Sequence, residues 1–101
     1  AQNLRLLGLE ELATSTPERA AAVGVEFQPG VIVLKSDERS RLGGLFSTGT
    51  IIVEGAGRSI ASYDELLARF DRALQAGGSM RSLGFQVTAI RPDGERVTVE
   101  L

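Results

Sequence analysis

The chain has 101 residues, a formal net charge of −2, 43% hydrophobic residues, and neither cysteine nor histidine. That length suits one domain with one modest core, able to bury roughly 60–70% of the surface its unfolded state exposes. The missing residue types exclude disulfides, thiol catalysis, thiolate metal sites and the commonest general base; the interleaved charges offer no basic track for nucleic acid, and no apolar run approaches the ~18 residues of a membrane span.

In chain order, Leu4 to Leu9 is mostly apolar, broken by Arg5 and Gly8, and runs into Glu10-Glu11-Leu12-Ala13-Thr14 as a first short strand. Thr16-Pro17-Glu18 starts a helix: Thr16 can cap it, Pro17 suits its first position and Glu18 complements its dipole. One or two turns follow before Gly24 stops them. Pro29-Gly30 is a turn into Val31-Ile32-Val33-Leu34, whose four aliphatics predict a strand buried on both faces. Asp37 to Leu45 is charged and then Gly-rich, with room for at most one helical turn. Gly49 opens a second buried strand, Thr50 to Glu54, and Arg58-Ser59-Ile60 reads as a short paired strand after Gly55-Ala56-Gly57.

Ser62 to Leu74 is the clearest helix. Ser62 and Glu65 have capping-box spacing, and Tyr63, Leu66, Leu67, Phe70 and Leu74 recur on one apolar face. Gly77-Gly78 ends it, and residues 79 to 84 read as a loop. Phe85 to Ile90 and Arg96 to Leu101 alternate apolar and polar residues on either side of Pro92-Asp93-Gly94, which predicts a closing hairpin. The sum is an α+β domain: a sheet of five or six short strands, one long helix, and one or two helical turns. Residues 1–101 form one domain, and both ends read as cuts from a longer chain.

Several of these segments, in this order, resemble pieces of a known family. They are Gly30-Val31-Ile32-Val33-Leu34-Lys35, Gly44-Leu45-Phe46-Ser47-Thr48-Gly49-Thr50-Ile51-Ile52, Glu54-Gly55-Ala56-Gly57-Arg58-Ser59-Ile60, Ser62-Tyr63-Asp64-Glu65-Leu66 and Arg91-Pro92-Asp93-Gly94-Glu95-Arg96. Together they resemble a PDZ domain in its bacterial, circularly permuted form, a small sheet or partial barrel. The run Leu6 to Thr14 is most similar to the start of a domain in HtrA/Deg-type serine proteases, the second of two being one candidate. Three departures stand out: Ser40 to Gly44 shortens the first family helix, Thr50 replaces the usual Asp, and Ala56 replaces the usual Asn. The segment 75 to 84 is also longer than is typical.

The resemblance implies a non-catalytic module that adds an extended peptide to a sheet edge. The implied carboxylate-binding loop is Leu7, Gly8 and Leu9, assisted by Arg5; Gly is needed where backbone amides approach an anion. The implied groove comprises Glu10, Glu11, Leu12, Tyr63, Leu67 and Phe70, and it favours apolar C-terminal residues or unfolded segments. Plainer readings of the same residues are a turn before an edge strand for Leu7 to Leu9, solvated charges for Arg5, Glu10 and Glu11, and core packing for Leu67 and Phe70. No catalytic residue, metal ligand or cofactor is expected. The resemblance further implies a monomeric module of a homo-oligomeric periplasmic or cell-envelope protein, its serine protease domain lying upstream. Two alternatives stay open: a domain used mainly as an assembly contact, and a PDZ domain of another bacterial protease class.

Overall fold

The computed structural model describes residues 8–75 and 86–100, apart from the side chain of residue 74. In these, β1 (Leu9–Thr14), α1 (Pro17–Ala22), β2 (Val31–Ser36), α2 (Arg41–Leu45), β3 (Ile51–Gly55), β4 (Arg58–Ser59), α3 (Tyr63–Gln75), β5 (Gln86–Ile90) and β6 (Arg96–Glu100) follow one another. The expected loop 79–84, the helix stop at Gly77-Gly78, Phe85 and Leu101 lie outside the described residues.

The strands form one antiparallel sheet in the order β1-β2-β3-β5-β6, with β4 hairpinned onto β3. Among the described residues nothing pairs β6 back to β1, so the sheet is open rather than a partial barrel, and β1 and β6 are its edges. The radius of gyration, 12.4 Å, is close to the ~13 Å of a compact domain of this length.

Alternation along the strands sorts the core into two layers. Val31 and Val33 of β2, Ile52 of β3, and Val87 and Ala89 of β5 pack with Leu9, Leu42, Phe46, Ile60, Leu66 and Phe70. On the opposite face, Ile32 and Ile51 pack with Ala20 of α1, flanked by Ala13, Val23, Val25, Leu34 and Val53. The continuous aliphatic runs of β2 and β3 therefore reflect burial on both faces, with α3 and α2 covering one side and α1 the other.

Local chemistry fixes the helix ends. The Thr16 side chain accepts from the Arg19 amide at 3.1 Å, and Ser40 accepts from the Gly43 amide at 2.9 Å. Ser62 accepts from the Glu65 amide at 3.2 Å, but Glu65 does not complete the expected capping box. Its carboxylate turns along the helix to Arg69 at 3.2 Å instead.

Candidate functional site

β1 is bulged where it begins: its register against β2 slips between Leu9 and Glu11 and again between Glu11 and Leu12. The slip leaves Glu10 and Glu11 both exposed, with Glu11 opposite Lys35. Beyond it the pairing is regular, Leu12 to Val33, Ala13 to Ile32 and Thr14 to Val31.

That register decides which way the backbone of β1 points. The Val33 amide donates to the Thr50 carbonyl at 2.8 Å, and the Val33 carbonyl accepts from the Gly49 amide at 2.8 Å, so both backbone groups of Val33 face away from β1. In an antiparallel pair the residue opposite must then also face away. Leu12 accordingly turns its N–H and C=O to the open edge of the sheet, where no described strand meets them. Its side chain, by contrast, is half-buried against the core layer that contains α3.

Two contacts close the far end of this edge. The Thr14 hydroxyl accepts from the first amide of α3, at Tyr63, at 3.0 Å. The Thr14 carbonyl accepts from Arg19 Nη1 at 2.9 Å. The first contact spans 49 residues of sequence and seats the start of α3 against the end of β1. Tyr63 and Leu67, one turn apart on α3, are half-buried and pack on the same core layer as Leu9 and Leu12.

The near end is Gly8, at φ +102. Its carbonyl accepts from the Asp37 amide at 2.8 Å, and a Cβ at this position would fall on the Ser40 side chain. Glycine is thus required here by its packing on the cap of α2. Its backbone conformation is the left-handed one that an anion-binding loop also uses.

The structure thus brings Gly8, Leu9, Leu12, Tyr63 and Leu67 to one side of the sheet beside an unpaired strand edge. Leu9 is buried, as is Phe70 at 0% exposure, so both act as core residues and Phe70 forms no open groove wall. Arg5 and Leu7 lie outside the described residues. The anchor Thr14 carries no signal in the sequence that would single it out, because its partner is far along the chain. Among the described residues there is no cluster of acidic side chains able to hold a metal ion, and no helix long and apolar enough to cross a membrane. Compared with protein-family models and with curated proteins, the chain matches none.

Proposed function

We propose that this domain is a PDZ-type peptide-binding module that takes an extended peptide as a further strand on β1. The observation that carries this reading is the outward N–H and C=O of Leu12 on an unpaired edge whose far end is held against the N-terminus of α3. Strand addition needs a backbone donor and acceptor on one residue of an open edge, with apolar side chains beside them for selectivity. Leu12, Tyr63 and Leu67 supply the apolar side. The Thr14 contacts stop the track at one end, and Gly8 with its left-handed backbone sits at the other, where an antiparallel peptide would finish with its carboxylate. The circularly permuted topology, the HtrA/Deg-type parent, the upstream protease domain and the envelope location belong to this proposal.

Affinity is expected to be weak, because one added strand buries little area and must be ordered on binding. The test is a titration with peptides ending in apolar residues, read by calorimetry. Leu12→Ala keeps the outward amide and weakens binding several-fold. Leu12→Pro also removes the amide, which the β1–β2 ladder does not use, and abolishes binding while circular dichroism stays native. Binding to Leu12→Pro as tight as to the unaltered domain would refute strand addition on β1.

A further inference from the structure

The opposite side of α3 carries a different chemistry. Glu65, Ala68, Arg69 and Arg72 recur at helical spacing and so line a face turned away from Tyr63, Leu66 and Phe70. The β3–β4 hairpin flanks this face, and between them lies an open cavity of about 630 Å³. Among the described residues, Ala56, Ala68 and Ala73 make its apolar wall, Arg58, Arg69 and Arg72 are its cations and Glu65 is its one anion. It is a net positive surface on a chain whose formal charge is −2.

The three arginines are not equivalent. Arg69 is tied down: Nη2 donates to Glu65 Oε1 at 3.2 Å and Nη1 to the Gly55 carbonyl at 3.4 Å. Arg58 and Arg72 are exposed, and their side chains take part in no ion pair or hydrogen bond among the described residues. They come from two elements, β4 and α3, and border one cavity with no described carboxylate paired to either guanidinium. Elsewhere in the domain, arginines with a carboxylate within reach use it, as Arg96 does with Glu54 at 2.6 Å.

We propose that this cavity is a second binding surface, which takes a peptide segment bearing acidic side chains. Guanidinium groups match carboxylates in planar, paired geometry, and two of them on separate elements suit two carboxylates spaced along an extended chain. The alanine wall leaves room for the peptide backbone. A compact dianion such as phosphate is less well served, because Glu65 already occupies Arg69 and repels concentrated negative charge. Among the described residues no aromatic side chain lines the cavity, so these residues offer nucleobases nothing to stack on. The surface is independent of the β1 edge and does not need strand addition to be correct.

The test uses the whole 101-residue chain, labelled with ¹⁵N and titrated at low salt with a hexaglutamate peptide acetylated and amidated at its ends. Blocked ends give the peptide no terminal carboxylate for the β1 edge. The expected result is saturable amide shifts confined to residues 56–59 and 65–73, screened by added salt. The double variant Arg58→Gln/Arg72→Gln, at exposed positions that leave the fold intact by circular dichroism, weakens binding by roughly tenfold, as the loss of two exposed ion pairs would. The proposal is overturned by any of the following: no saturable shifts, equal shifts with hexaglutamine, undiminished binding by the double variant, shifts along Leu9–Thr14 instead, or the same saturation with inorganic phosphate at equal concentration.

Discussion

At the scale of single residues, Gly8 is one of the described positions where an added Cβ would overlap a neighbour, as at Gly30 and Gly43, and Thr50 is one of four described residues with a stranded buried polar atom. Gly8 combines φ +102 with a methyl-sized space already filled by Ser40. Gly8→Ala therefore lowers stability by about 3 kcal/mol, from backbone strain and displacement of the α2 cap together, measured by chemical denaturation. Thr50 is fully buried, and its hydroxyl has no hydrogen-bond partner among the described residues. Thr50→Val is nearly isosteric and removes that unpaired group, so it raises stability by about 1 kcal/mol; a loss of stability would mean that the hydroxyl is bonded. Gly8 stands out in the sequence because a glycine between two leucines marks a special backbone position. Its reason does not, since Ser40 approaches it only in the folded chain. The turn residue Ala56 is legible in the same partial way. It precedes Gly57 in a two-residue hairpin turn and sits at φ 54, a conformation that Asn or Gly adopts more easily.

At the scale of elements, local chemistry was readable and long-range anchoring was not. Thr16-Pro17, Ser40 and Ser62 start helices by contacts three residues long, and hydrophobic runs of the right period mark β2, β3 and α3. The capping box at Ser62 was half legible: the amide contact forms, but Glu65 finds Arg69 a turn away. The bulge in β1 left no trace in Glu10-Glu11, because a register slip depends on the partner strand. The Thr14–Tyr63 bond is the strongest case. Thr14→Val keeps the shape and deprives the first amide of α3 of its acceptor, costing about 1–2 kcal/mol. If α3 also forms the proposed groove wall, the same variant weakens peptide binding while leaving β1–β2 pairing intact. Calorimetry and thermal denaturation of one sample read both effects.

At the scale of the whole molecule, the open sheet buries two apolar layers and leaves two edges. β6 presents Arg96, Thr98 and Glu100 outward, charged and polar side chains of the kind that discourage pairing. Both edges carry half-buried apolar side chains, Leu12 on β1 and Val97 and Val99 on β6, but β1 differs in having an α-helix seated at its end. The α+β class, the strand order of the closing hairpin and the double-sided burial of β2 and β3 all follow from hydrophobic patterning. Which edge stays open does not, because it depends on how distant strands assort. Nor does the half-closed state of the candidate groove, where Phe70 disappears into the core while Tyr63 and Leu67 stay accessible: all three share one helical stripe, and only packing separates them.

The most direct test of strand addition on β1 is hydrogen exchange at the single amide of Leu12, followed by NMR in the free domain and at saturation with a peptide ending in apolar residues. In the free domain this amide points to the open edge, where no described residue meets it, and exchanges rapidly. On binding it becomes a ladder donor, so its exchange slows at least about tenfold, the mark of an opening free energy of ~1.4 kcal/mol or more, while the amides of β6 are unaffected. A Leu12 amide already protected in the free domain, or one whose exchange is unchanged by saturating peptide, would contradict the account.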